Sequence, residues 1–327
     1  MRRAALLLLV LTLVGLTSGC GGSVLDSSEV DPTSAGTPTA APTPTATLSA
    51  QDPPPATSRT PKHPRSRSPS PSLTLSLPSL TLPGRPTGPV LGGDVSWPQC
   101  PQGMGIPQKR SLGLPMPAAS AQFVLIGLTN GPGFTPNPCL GDQVRWVRQR
   151  RLLGAAYAVT SYPDAQTLAR YGDLGPYDGS TRLGALRNVG YQQARFNVAN
   201  MKRAGLLTPI VWLDVEPVPV FVWSADRDAN AAVVTGAARG YTDAGYRIGT
   251  YSTQALWETV VGGLRFGVPE WRAAGQTSRA EALRRCGSDR MFQGGKAILG
   301  QWVAGGRDID ITCPGTSSDM LRWFHLY

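Results

Sequence analysis

Between residues 91 and 327 the chain alternates short apolar runs with longer amphipathic stretches, and this alternation is what most restricts its fold. Residues 123–129 and 153–160 are continuously apolar or small, as expected of strands buried on both faces. Residues 90–96, 209–216, 246–252, 271–274, 298–303 and 308–312 read as further strands. Helices are expected over 140–150, 186–204, 224–244, 253–261 and 279–285. Gly205 is placed to end the second of these. Ser224 is expected to cap the third, with Asp226 and Asp228 in its first turn. Strands alternating with helices imply a parallel sheet. The length suits one α/β domain, a TIM-like barrel, flattened or irregular, with an open doubly wound sheet as the second choice. No Gly-rich phosphate fingerprint follows any strand, which argues against nucleotide binding.

The first ninety residues cannot belong to that domain. Met1-Arg2-Arg3 is followed by an apolar run from Ala4 to Leu16 and by Thr17-Ser18-Gly19-Cys20. A basic start, a short apolar run and small residues make residues 1–20 an export signal. The run is too short for a comfortable membrane span. Cysteine directly after Ser-Gly resembles a bacterial lipobox, although Thr17 stands where leucine is usual. Cys20 would then be the lipidated first residue of the mature chain, and the protein a membrane lipoprotein; plain secretion is the alternative. Residues 21–90 are rich in Pro, Ser and Thr and lack the apolar surface needed to offset chain entropy. A disordered, extended linker is expected there.

Charge and cysteine content fit export. The net charge is +10, and arginine heavily outnumbers lysine. A basic exported surface suits anionic polymers such as wall glycans, or lipid headgroups. Nucleic acid is not expected, because no basic segment carries interleaved stacking aromatics. With Cys20 set aside, Cys100, Cys139, Cys286 and Cys313 form an even set that suggests two disulfides. Three pairings are possible. Cys100–Cys139 with Cys286–Cys313 is favoured, since each pair would tie neighbouring loops. The spacing does not suit a thiolate metal site. The only histidines are His63 and His325, which nearly excludes a Ser-His-Asp triad and a His-rich zinc site.

The apolar run Pro209-Ile-Val-Trp-Leu213 ends abruptly in Asp214-Val215-Glu216. Residues i and i+2 of a strand share a face and lie about 6.6–6.8 Å apart along it. Retaining glycosidases hold two carboxyl groups roughly 5–5.5 Å apart, inverting ones roughly 6.5–9.5 Å. Like charges so close also push one pKa upward, so that one group can keep its proton. Further acids stand near other strand ends: Asp94 on the first, and Asp310, or its neighbour Asp308, on the last. In a barrel these ends converge on one mouth. Tyr157, Tyr251, Trp271 and Trp302 are expected beside them, as aromatic faces for the C–H faces of sugar rings. Trp146 and Trp212 are expected in the core.

The ordered set Gly93-Asp94-Val95-Ser96-Trp97, Gly154-Ala-Ala-Tyr157, Trp212-Leu-Asp-Val-Glu216, Gly249-Thr-Tyr-Ser252 with Trp257, and Gln301-Trp302 before Ile309-Asp-Ile-Thr312 resembles glycoside hydrolase family 25, the N-acetylmuramidase lysozymes. The resemblance covers residues 91–320. It implies a flattened barrel, cleavage of the β-1,4 bond after N-acetylmuramic acid in peptidoglycan, and no metal or organic cofactor. It makes Glu216 the general acid. Asp214 becomes either the nucleophile or the group that orients the substrate's own acetamide. Asp94 and Asp310 are then outer acids, and Tyr157 and Tyr251 lie near the reacting sugar. A monomer acting at the membrane or in the wall is expected.

The chain departs from that pattern in places. The family's second strand commonly ends Thr-Glu-Gly, where this chain has Thr129-Asn130-Gly131. The usual Tyr-His-Phe is Tyr157-Ala158-Val159, and the usual Asp-x-Asn is Asp310-Ile311-Thr312. The acids are kept while their surroundings change, as in a divergent branch. Two readings therefore stand: a wall glycan hydrolase, or a glycan-binding module without turnover. A family 18-like chitinase is a distant third, because the Asp-x-x-Asp-x-Asp-x-Glu series is missing.

Overall fold

The computed structural model describes residues 88–218 and 220–327. The expected signal, Cys20 and nearly all of the linker lie outside the described residues. In chain order the elements are β1 (Leu91–Val95), β2 (Gly105–Ile106), β3 (Lys109–Arg110), β4 (Phe123–Gly127), α1 (Leu140–Gln149) and β5 (Leu153–Val159). There follow α2 (Ala165–Tyr171), α3 (Arg182–Ala204), β6 (Ile210–Asp214), α4 (Arg227–Asp243), β7 (Arg247–Ser252), α5 (Gln254–Val261) and β8 (Glu270–Ala273). The last are α6 (Arg279–Arg284), β9 (Ala297–Ala304), β10 (Arg307–Thr312), α7 (Met320–Trp323) and β11 (His325–Leu326).

Eight strands close into a barrel in the order β1-β4-β5-β6-β7-β8-β9-β10, with β10 returning to β1. The expectation of purely parallel strands is corrected at β10 within the barrel and at β11 on its edge. β10 is antiparallel to both β9 and β1. It follows β9 through Gly305 and Gly306, whose φ values of 58° and 71° permit a tight reversal. β2 and β3 form a separate hairpin outside the barrel. β11 pairs with Leu153 and Gly154 at the start of β5, below the point where β6 joins at Ala156.

Strand alternation sorts the side chains. Phe123 and Leu125, Ala155 and Tyr157, and Ile210 and Trp212 point into the barrel with Tyr251 and Trp271. Val124 and Ile126, Ala156 and Ala158, and Val211 and Leu213 face outward to the helices. The interior is aromatic, and glycines make room for it. A Cβ on Gly249 would sit 2.4 Å from the Trp212 ring, and one on Gly92 2.4 Å from Phe123.

Helix ends follow local chemistry. Thr181 caps α3 by accepting from Gly184 N at 3.1 Å, and Gly205 ends it with φ 67°. The cap of α4 is Asp226 rather than the expected Ser224. Asp226 Oδ1 accepts from Asp228 N and Ala229 N, while Ser224 Oγ only receives the Asp226 N–H. The short helix α2, opened by the Asp164 cap, has too brief a pattern to be read from sequence. The disulfides are Cys100–Cys139 and Cys286–Cys313. Among the described residues no helix is long and apolar enough to cross a membrane.

Helices α3 and α4 pack closely because glycines face the contact. A Cβ on Gly190 would lie 1.9 Å from Val233 O, and one on Gly236 1.8 Å from Arg187 O. Alanine favours a helix over glycine by about 1 kcal/mol, yet forcing these backbones apart costs about 1–3 kcal/mol or more. Gly236→Ala is therefore expected to lower the urea midpoint. An unchanged or higher midpoint would show that the two helices separate freely.

Candidate active site

The barrel mouth holds a cavity of about 440 Å³. Strand register builds it. Asp214 on β6 stands opposite Tyr251 on β7, which stands opposite Trp271 on β8. Inward parity carries Ile210, Trp212 and Asp214 along one face of β6, and Glu216 continues it one step past the strand. The backbone there remains held: Val215 N donates to Tyr251 O at 3.1 Å, and Ser252 Oγ to Val215 O at 2.7 Å. Trp223 Nε1 donates to Glu216 O at 2.9 Å.

Of the residues singled out from sequence, Asp94, Asp214, Glu216, Tyr157, Tyr251 and Trp271 all line this cavity. Asp310 does not. Because β10 runs opposite to its neighbours, its start lies at the mouth and its end at the base. Asp308 pairs in register with Asp94 and reaches the cavity, whereas Asp310 pairs with Gly92, one step deeper. Asp310 is fully buried beneath the floor, where its Oδ1 accepts from Trp271 Nε1 at 2.7 Å. Its Oδ2 is buried without a hydrogen-bond partner among the described residues.

Trp302 is a correction. It points out of the barrel and packs with Ala274, Ala282 and Ile311 beneath α6. Its neighbour Gln301 has the inward parity. Gln301 Nε2 donates to Asp94 Oδ2 at 2.7 Å, and its Oε1 accepts from Tyr251 OH at 2.8 Å. Gln301 thus links an acid of β1 to an aromatic of β7 across the mouth. Counting alternation along β9 would have chosen it over Trp302.

Lys109 was also missed, and no pattern announces it. It lies on the β2–β3 hairpin and lines the cavity, with its Nζ 4.8 Å from the centre of the Trp97 ring. The hairpin is pinned by Asn130, which is fully buried. Asn130 Oδ1 accepts from Ile106 N at 3.0 Å and its Nδ2 donates to Lys109 O at 3.2 Å. Asn130, one of the departures noted above, thus fixes the backbone that presents the cation. Val220, which also lines the cavity, has φ 72°, a strained conformation for a β-branched residue.

Burial dominates the electrostatics. It raises the pKa of Asp94, Asp214, Asp308 and Asp310, and neighbouring acids raise Asp94, Asp214 and Asp310 further. For Glu216, burial raises the pKa to about 7, with Lys109 opposing and Asp308 assisting. The same burial lowers the pKa of Lys109, which the Asp214 and Glu216 charges oppose. Asp214 Oδ1 is buried without a hydrogen-bond partner among the described residues. The arrangement offers a protonated carboxyl beside a second carboxyl, one cation, and aromatic walls.

No protein-family model matches this chain, and no curated protein does. Solved structures similar in shape include a muramidase from Acremonium alcalophilum, at 17% identity over 71% of this chain and 99% of that one, with a TM-score of 0.46. A bacterial lysozyme from Streptomyces coelicolor aligns at 15% identity over 72% and 97%, with a TM-score of 0.45. The modular autolysin LytC from Streptococcus pneumoniae, in complex with a synthetic peptidoglycan ligand, aligns at 11% identity over 68% of this chain, with a TM-score of 0.41. This chain spans 46% of that autolysin's length.

The raised Glu216 pKa carries a stability consequence. Between the ordinary value of 4.5 and about 7 the folded chain keeps a proton that the unfolded chain releases. Stability contributed by Glu216 therefore falls as pH rises through that window. Glu216→Gln is expected to be more stable than the parent at pH 8 by about 1–3 kcal/mol, with the gain shrinking toward pH 5. Urea unfolding at the two pH values measures it. A gain equal at both would deny the buried proton.

Proposed function

We propose that the protein is an exported glycoside hydrolase that cleaves β-1,4 bonds of peptidoglycan or a related wall glycan by a retaining, two-carboxylate mechanism. The observation that carries this reading is Glu216, with its pKa near 7, beside the buried Asp214 in an aromatic-walled cavity. At neutral pH Glu216 holds a proton to give to the leaving glycosidic oxygen. Asp214 Oδ1, unpartnered among the described residues, is free to attack the anomeric carbon or to hold the acetamide N–H of the sugar. Lys109 opposes the rise of the pKa at both Asp214 and Glu216, so the cation favours one negative charge on the pair. Once the leaving sugar departs, the Glu216 carboxylate takes a proton from a water whose oxygen bonds the anomeric carbon and displaces Asp214, or the sugar's own acetamide oxygen, from it, so that both carboxyl groups return to their starting state.

Tyr251, tethered by Gln301, and Trp271, tethered by Asp310, stand as rigid faces beside the reacting ring. Rigid positioning of this kind lowers the entropy cost of reaching the transition state. The sequence resemblance to the N-acetylmuramidases supports the choice of bond. The expected export signal and Cys20 support action at the membrane or in the wall.

Mass analysis of fragments released from purified bacterial walls tests the reading. The native protein is expected to release muropeptides with new reducing ends, and Glu216→Gln and Asp214→Asn to lower the rate by 10²-fold or more, about the contribution of a positioned acid. Release should decline above pH 7, as Glu216 loses its proton. Wall binding without fragments from the native protein would establish a binding module instead.

A further inference from the structure

The end of the barrel opposite the cavity carries a second surface. Leu207 precedes β6, Arg247 opens β7, and Leu326 pairs with Leu153 at the start of β5. Each lies at the base of a strand whose other end reaches the mouth. Leu207, Leu321 and Leu326 are exposed there, at 50%, 61% and 51%. A groove of about 520 Å³ runs between Leu207 and Leu321, bounded by Lys202 and His325.

Cations rim these leucines. Arg148 donates to Gly205 O at 2.7 Å and lies 5.3 Å from the Tyr327 ring centre. Arg247 and Arg322 both lie over the Trp323 ring, at 5.1 and 5.2 Å, and Arg247 also contacts the Arg322 carbonyl. Among the described residues none of Arg148, Lys202, Arg247 and Arg322 forms a salt bridge. Asp243, at the foot of α4, is already paired with Arg239. Partial burial, and then the Arg322 charge, lower the Arg247 pKa. Two guanidinium groups are thus held together with no carboxylate paired to either among the described residues.

We propose that this basal face docks on an anionic lipid bilayer, with Leu207, Leu321 and Leu326 entering the headgroup boundary and Lys202, Arg247 and Arg322 engaging lipid phosphates. Protruding leucines within a ring of cations match an interface that is apolar within and negative at its surface. Long basic side chains can lie along such a boundary with their charges in the headgroups. A soluble wall polyanion would satisfy the cations but leave the leucines in water. The path of the chain agrees. Val90 is bound to Thr312 at the base of β1 and β10, so the described chain begins at this end of the barrel. Docked in this way, the barrel turns its acidic mouth away from the lipid.

The test uses the full chain with Cys20→Ser, so that no acyl group at that position contributes. It is sedimented with vesicles of phosphatidylcholine alone and of phosphatidylcholine mixed with phosphatidylglycerol. Binding is expected only to the mixed vesicles and to weaken with salt. Lys202→Gln with Arg322→Gln is expected to weaken it about 30-fold, from about five-fold per cation. Leu207→Ser with Leu321→Ser should weaken it as well, without altering the cation number. Absence of binding by the parent, equal binding to neutral vesicles, or indifference to both double variants would overturn the proposal. So would binding to soluble polyglutamate but not to vesicles.

Discussion

Ring closure between β5 and β6 is the constraint on which the site depends. Four register pairs, from Ala156 with Val211 to Val159 with Asp214, complete the barrel. In an open sheet Asp214 and Asp94 would stand on separate parts of the structure. Closure makes them walls of one cavity and places the ring of Trp271 between the ring of Tyr251 and the carboxyl of Asp310. The aromatic interior supports this arrangement. Tyr157, Trp212 and Tyr251 all contact Trp271 at ring separations of 4.4 to 6.3 Å, and such rings pack with defined geometry.

Closure also removes water from the acids, and their chemistry follows from that. A carboxylate away from water is costly unless a cation or hydrogen-bond donors compensate. Lys109 is the cation on the cavity wall. The other compensating groups are Gln301 at Asp94 and the Trp271 indole at Asp310. Glu216, with its pKa raised to about 7, keeps a proton instead. A different cluster shows the contrast. Glu270 and Arg272, equally buried on β8, form an ion pair at 2.7 Å, and Glu270 accepts from three backbone N–H groups of residues 292–295. That pair is fully hydrogen-bonded and organises a loop. The mouth acids are not, and this separates a reactive group of acids from a structural one.

Much of this was legible in the chain. The strand runs, the helix ends at Gly205 and the acids at 94, 214 and 216 follow from apolar pattern and from the rule that barrel sites lie at strand ends. What escaped has physical reasons. A strand's direction is not written in its composition, so the reversal of β10 exchanged the roles of Asp308 and Asp310. On β9 alternation sends Gln301 inward and Trp302 outward to pack beneath α6, and the size of a ring does not tell which face it takes. Lys109 sits on a two-stranded hairpin with no apolar pattern of its own. Its position depends on Asn130, a contact distant in sequence. Glu270 and Arg272 are invisible as a buried pair until β8 is placed beneath the 285–296 loop.

The central claim is that burial in the barrel mouth holds a proton on Glu216 at neutral pH. Carbon-detected NMR titration of the glutamate side-chain carboxyl groups, assigned with Glu216→Gln, measures this without substrate. A midpoint for Glu216 near 7 is predicted; a midpoint near the ordinary glutamate value of 4.5 would contradict the account.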